Sequence, residues 1–296
     1  MFLHVGKEVA KNLIKGAFPT LVTRLRGHTG RGQGEQAPKE ILRYCRGVFE
    51  GHLKALDAGD PEAALRDKRV VELGPGDTLA TGLLCLAHGA RSYVAVDRFA
   101  FRLDTEKNSA MYALLLDSLQ GSPRRRLEAL LRREGGRFRL APERIQVLRE
   151  PAESFQLSEP ADLLMSQAVL EHVRDLASVF ARMGAACRPG GSMVHVVDLS
   201  DHGLYPGRPF KFLSFSPGLW TAMHAFRGSP NRERLPRYRQ LLAQNRFDLT
   251  RLDVRAAAST EELREARPRL HPAFGSIPDE DLGVLSFHFA AQKQAG

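Results

Sequence analysis

The stretch Val70-Val71-Glu72-Leu73-Gly74-Pro75-Gly76-Asp77-Thr78 constrains the fold more than any other part of the chain. Arg69–Leu73 is too short and too apolar for anything but an interior parallel strand, and interior parallel strands belong to sheets covered on both faces. The glycines that follow permit a backbone closed to other residues and let the chain approach a ligand. Thr78 can begin a helix through Leu79, Leu83, Leu84 and Leu86 that stops at Gly89. A second short strand, 92–97, ends on Asp97. The unit is a β-turn-α-β of the kind that holds nucleotides at its strand C-termini, and Glu72 and Asp97 stand where such a ligand presents hydroxyls and an amine.

The rest of the chain extends this unit. Apolar or alternating runs at 144–148, 161–166, 192–199, 247–254 and 282–291 predict five further strands, and helices are expected over 176–187, stopped by Pro189-Gly190-Gly191, and over 235–245. Residues 1–68 read as an N-terminal helical extension or lid, and residues 69–296 as the ligand-binding domain. Within the extension, Phe2, Val5, Val9, Leu13 and Ile14 lie on one helical face, with Lys7, Lys11 and Lys15 on another. That pattern fits either a foot on an anionic membrane surface or, the commoner case, a helix packed on the domain. Gly27–Gly34 reads as a linker or lid hinge. A helix follows Pro38, and a short one follows Gly59-Asp60-Pro61.

Two stretches exceed what the unit needs. An insertion over about 100–143 carries leucines at helical spacing amid Arg124, Arg125, Arg126, Arg132 and Arg133. It can serve as a lid, an anion-binding wall or a solvated helical hairpin. Residues 200–233, rich in Gly, Pro, His and Phe without a period, read as a loop on the acceptor side of the pocket.

With 296 residues, 43% hydrophobic and 26% charged, the chain is long and apolar enough for a full core. The net charge of +9 comes from scattered arginines, which excludes no partner class. Cys45, Cys85 and Cys187 are far apart and show no metal-ligand spacing, so a reducing, cytoplasmic setting is expected. No apolar run is long enough to span a bilayer, and no signal-peptide pattern opens the chain.

The order of these motifs resembles the class I S-adenosylmethionine-dependent methyltransferases. Glu72-Leu73-Gly74-Pro75-Gly76 matches the acidic residue and GxG after the first strand, and Asp97 the acidic residue after the second. Glu153 in Glu150-Pro151-Ala152-Glu153 matches the acidic residue after the third, Leu170-Glu171-His172-Val173 the loop after the fourth, and Pro189-Gly190-Gly191 the turn before the fifth. The resemblance implies an α/β fold: a Rossmann-like seven-stranded methyltransferase sheet with helices on both faces, plus the N-terminal helical extension and the helical insertion after the second strand. It also implies S-adenosyl-L-methionine as cofactor, held by Glu72, Gly74, Pro75, Gly76, Asp97 with Arg98 beside it, Ala152, Glu153, Gln167 and Tyr44. Some metal-using relatives carry a Glu three residues before a Glu-His pair. Here that position is Ala168, so no metal is expected. The Asp/Asn-Pro-Pro-Tyr/Phe pattern of base-amine methylation is absent after the fourth strand, where Ser166-Gln167-Ala168-Val169 stands.

A hydroxyl acceptor needs a base to take its proton, and histidine suits that work near neutral pH. His202 is the first candidate, oriented by Asp198 or Asp201, and His172 the second; His195 lies within a strand and reads as structural. The expected activity is methyl transfer to a small-molecule or glycan-like hydroxyl in a biosynthetic setting, and a basic lid suits an anionic acceptor. Two alternatives stand beside it: an RNA methyltransferase using the basic insertion, and a non-catalytic cofactor-binding scaffold.

Overall fold

The computed structural model describes residues 6, 8–13, 36–99, 105–135, 137–224 and 229–295. The Gly27–Gly34 hinge, residues 2–5, 7 and 14–18 of the basic helix, 100–104 of the insertion and 225–228 of the acceptor-side loop lie outside the described residues.

Nine strands are described: β1 (Arg69–Leu73), β2 (Ser92–Val96), β3 (Leu131–Glu134), β4 (Arg137–Leu140), β5 (Ile145–Leu148), β6 (Ala161–Gln167), β7 (Cys187–Asp198), β8 (Phe247–Ala257) and β9 (Val284–Lys293). Seven form one mixed sheet in the order β5-β2-β1-β6-β7-β9-β8. β5, β2, β1, β6 and β7 run parallel, and β9 runs antiparallel to both of its neighbours. The chain leaves β1 towards β2 on one side and meets β6 on the other. This reversal opens a crevice at the C-terminal strand ends, where ligands of such sheets bind.

Side-chain alternation divides the core into two layers. Val70, Tyr93 and Ala95 face one cluster, which takes in Phe49 and Leu53 of the helix Pro38–Ala55 together with the helices Ala80–Ala87 and Glu106–Asp117. Val71, Val94 and Val96 face the other, with Phe180 of helix Leu176–Ala186 and Tyr238 of helix Leu235–Gln244. Helix Pro38–Ala55 therefore shares the core of the sheet. Tyr93 shows how tightly the first layer closes. A Cβ on Gly82 would lie 2.2 Å from its Cζ, so only glycine lets helix Ala80–Ala87 settle on the ring. The Tyr93 hydroxyl then donates to Glu72 at 2.5 Å.

The insertion holds two helices, Glu106–Asp117 and Gly121–Leu130, and then the β3–β4 hairpin, where a continuous helical pattern is expected from sequence. Leu131 and Phe138 turn inward and the charged residues between them outward, so leucine spacing alone misses the hairpin. Several arginines of this segment face acids within the fold: Arg126 with Glu62 at 2.9 Å, Arg124 with Glu128 at 2.8 Å, Arg137 with Glu106 at 3.0 Å and Arg139 with Glu134 at 2.6 Å, whereas Arg125 bonds Ser122 and Arg133 lies over the Phe138 ring. β7 also starts earlier than expected. It begins at Cys187 and runs through Pro189-Gly190-Gly191, with a register irregularity against β6.

A third cluster sits beyond the strand ends. Phe210, Phe212, Leu213, Phe215, Trp220 and Met223 from the segment read as a loop pack with Leu263 and Leu282 from the β8–β9 connection. That segment contains a helix, Pro217–His224, and the connection contains Thr260–Ala266 and Asp279–Leu282. The buried Arg234 ties this cap to the sheet by donating to the carbonyls of Leu199, Leu282 and Val284. Residues 8–13 are helical and rest on the cap: Val9 packs against its core, and Asn12 donates to the carbonyls of Thr221 and Ala222. Leu13, expected on the apolar face, is 62% exposed. Among the described residues, no helix is long and apolar enough to cross a membrane.

Candidate active site

The crevice floor is the turn after β1. Gly74 and Gly76 have φ of +61° and +78°, the left-handed region in which a Cβ is strained. A Cβ on Gly74 would also strike Val169 Cγ2 at 2.6 Å, so the turn lies directly against the loop leaving β6. Gly74 N donates to the Val96 carbonyl at 2.8 Å and Asp97 N to that of Leu148 at 3.0 Å, locking the ends of β1, β2 and β5 together.

Two carboxylates frame this floor. Glu72 is 5% exposed, and burial pushes its carboxyl up to about 7 against the lowering effect of the Tyr93 hydroxyl. Asp97 stands at the mouth, where burial raises it to about 6 although its Oδ1 accepts from Phe99 N at 2.8 Å. A half-satisfied carboxylate beside a glycine turn fits a ligand that brings hydroxyl donors, as the ribose of a nucleoside does. Arg98 is exposed, its guanidinium 4.7 Å from the centre of the Phe99 ring. Tyr44, half-buried on helix Pro38–Ala55, packs against the first core layer.

Beyond β5, a tight turn at Pro151 buries Phe155 and leaves Ala152 packed on the second layer. Glu153 reaches across this turn, and its Oε1 accepts from Arg174 N at 3.0 Å. It therefore braces the loop after β5 against the loop after β6. Gln167 closes β6 opposite Val196.

The third group is one the sequence separates widely. His172 leaves β6 and His202 leaves β7, yet their rings meet edge to face with centres 4.8 Å apart. His202 Nε2 lies 3.3 Å from the Asp198 carbonyl oxygen and 3.9 Å from its Oδ2. Asp201, the other orienting candidate, is committed elsewhere: its oxygens accept from Gly203 N and Tyr205 N. Glu171 is 1% exposed and accepts from Asp198 N at 3.3 Å. Its carbonyl accepts from Asn231 N at 2.6 Å, and Asn231 Nδ2 donates to the carbonyls of Leu170 and Val173. The cap thus grips the Glu171-His172 loop, a contact with no local sequence signal. His195 is buried within β7, its Nδ1 2.7 Å from Ser166 Oγ.

Backbone strain gathers at the same place. Among the described residues, six non-glycine residues have positive φ; Asp57, Asp67 and Arg246 end helices, where that conformation is ordinary. The other three, Ala168, His202 and Arg232, lie in the loops around the crevice and cap. Each costs on the order of 1–3 kcal/mol and persists only where the surroundings impose it, a pattern typical of functional sites.

Residues 45–266 match the family described as a methyltransferase domain, three quarters of the chain. The chain belongs to the methyltransferase domain family. It is an enzyme of that family, and its methyl donor is S-adenosyl-L-methionine. The fit to this chain is physical: the glycine turn leaves no room for side chains at the crevice floor, and Asp97 offers the acceptor a ribose diol needs. No curated protein matches in sequence. Among solved structures, the methyltransferase domain resembles an S-adenosylmethionine-dependent methyltransferase from Mesorhizobium loti at 16% identity and a TM-score of 0.42, over 83% of this chain and 100% of the other. It also resembles the N-methyltransferase NodS from Bradyrhizobium japonicum WM9, solved with S-adenosyl-L-homocysteine, at 10% identity and a TM-score of 0.41, over 88% and 89% of the two chains. An O-methyltransferase family protein from Burkholderia thailandensis matches at 10% identity and a TM-score of 0.45, over 88% of this chain and 59% of that one. At these values the likenesses say nothing about the acceptor.

Proposed function

We propose that this methyltransferase transfers the methyl group to a hydroxyl of a small-molecule or glycan-like acceptor held between the strand ends and the cap. In this reading Glu72, Gly74, Pro75, Gly76, Asp97, Arg98, Ala152, Glu153, Gln167 and Tyr44 hold the cofactor. His202, His172 and Asp198 face the acceptor. The observation that carries the proposal is the meeting of His172 and His202 beside the cofactor turn, with Asp198 behind His202. Histidine is the side chain whose ordinary pKa lets it accept a proton near neutrality, which a hydroxyl nucleophile requires.

The step is an in-line displacement. Bound on the turn after β1, S-adenosyl-L-methionine would supply the methyl group to the acceptor oxygen and leave as the neutral thioether, while His202 would take the hydroxyl proton and Asp198 would orient its ring. Positioning supplies much of the rate, and the cap supplies the positioning. The RNA alternative draws less support from the fold, because Arg124, Arg126, Arg137 and Arg139 of the insertion pair with acids inside the segment and its neighbours.

The test is transfer of an isotopically labelled methyl group to pooled hydroxyl, carboxyl, amine and RNA acceptors, with products separated by mass. Labelled ethers that fall away in the His202→Ala protein, while cofactor affinity is kept, support the proposal. Label confined to amines or RNA overturns it.

A further inference from the structure

We propose that Glu171, His172 and His202 form a binding site for one first-row divalent cation of the zinc type. Each offers one donor atom, and the three atoms lie within 4.8 Å of one another. Ligands of a single tetrahedral ion stand about 3.3 Å apart when bonds of about 2.1 Å meet at tetrahedral angles. Closing the difference takes about 1.5 Å at most, within reach of small side-chain torsions. Two imidazoles and a carboxylate are a donor set for zinc or iron(II) rather than for magnesium or calcium, which prefer oxygen alone.

The sequence argues against a metal, because Ala168 stands where a carboxylate ligand would be expected. The fold supplies the missing donor from a different loop, thirty residues on, through the left-handed backbone at His202. The site is built rather than incidental. Glu171 accepts from Asp198 N, its loop is clamped by Asn231, and the Asp198 carbonyl lies 3.3 Å from His202 Nε2, the kind of contact that orients a metal-bound imidazole through its other nitrogen. Three protein ligands leave coordination positions open, the arrangement of a catalytic rather than a structural ion.

The site stands on this geometry alone; its role in transfer rests on the acceptor-side reading above. There the ion would bind the acceptor hydroxyl and lower its pKa so that the proton leaves to water, and His202 would take the proton only in the metal-free protein.

The test uses the full chain stripped with chelator and titrated with Zn²⁺ by calorimetry, with Co²⁺ as a spectroscopic probe and Mg²⁺ as competitor. The expected result is one equivalent of Zn²⁺, undisturbed by Mg²⁺, with visible Co²⁺ bands of low-coordinate nitrogen–oxygen ligation. His202→Ala, a change at an exposed position, is expected to weaken binding by more than the roughly 10- to 100-fold typical of losing an outer-shell partner. His271→Ala, in the cap, is expected to leave it unchanged. Zn²⁺ should also raise the melting temperature of the parent protein and not of His202→Ala, a reading that holds whether or not Glu171→Gln folds. Absence of stoichiometric binding, or equal binding in parent and His202→Ala, overturns the proposal. Because the titration reads no methyl transfer, that result leaves the base assignment standing, and failure of the separate labelling experiment in a protein that binds Zn²⁺ counts against the acceptor reading instead.

Discussion

Asp97 closes β2 as a carboxylate that burial holds up near about 6 in the ligand-free chain. In the proposed reading the ribose hydroxyls of the cofactor donate to the ionised form, so binding is expected to draw Asp97 towards ionisation. Cofactor affinity is therefore expected to be flat above about pH 7 and to fall by up to about tenfold per unit below pH 6. Asp97→Asn should bind weakly and without this slope, which calorimetry at several pH values would show. Glu72 makes a different prediction, about folding. Its pKa rises from 4.5 unfolded to about 7 folded, so between those values the native state keeps a proton that the unfolded chain has released. Its contribution is full below about pH 4.5 and is lost as pH rises through 7, on the order of 3 kcal/mol. Glu72→Gln keeps an acceptor for the Tyr93 hydroxyl and should lack that loss. The buried histidines His52, His195 and His288 are held down and slope the other way, but equally in both proteins. The informative quantity is the difference between the two urea-unfolding curves across pH.

At the scale of elements, helix Ala80–Ala87 lies flat on β2 because Gly82 has no Cβ to meet Tyr93. Gly82→Ala should lower the stability by about 3 kcal/mol through overpacking, read as a lower urea midpoint at unchanged slope. This contact also shows why the cofactor half of the molecule was legible in the sequence. Val70-Val71 and Val94-Ala95-Val96 are buried on both faces and read as apolar runs, and Gly74 and Gly76 mark a turn with no other use. The β3–β4 hairpin was not legible, since Arg132, Arg133 and Glu134 are solvated and few residues, Leu131, Phe138 and Leu140, face inward. Nor was the cap: Phe210, Phe212, Phe215 and Trp220 find partners such as Leu263 and Leu282 some fifty residues later, and no local period announces such a contact. The meeting of His172 with His202 is hidden for the same reason.

At the scale of the whole molecule, two layers sandwich the sheet and a separate apolar cluster roofs its strand ends. Trp220 centres that roof: it donates to the Pro230 carbonyl at 3.0 Å, and the Arg232 guanidinium lies 5.1 Å from its ring centre. Trp220→Ala removes about 3–5 kcal/mol of local packing. Because the roof reaches the cofactor turn only through the loop that Asn231 grips, cofactor affinity should fall far less than methyl transfer, and limited proteolysis should cut first within 200–283. The grip of Asn231 on the loop 170–173 has a further consequence. Val169 on that loop is the surface against which Gly74 rests, so the roof, the histidines and the cofactor turn form one mechanical chain. An acceptor that steadies the roof therefore steadies the floor as well. Each ligand is then expected to tighten the other by the same factor, a coupling that paired calorimetric titrations would read and that Asn231→Ala should weaken.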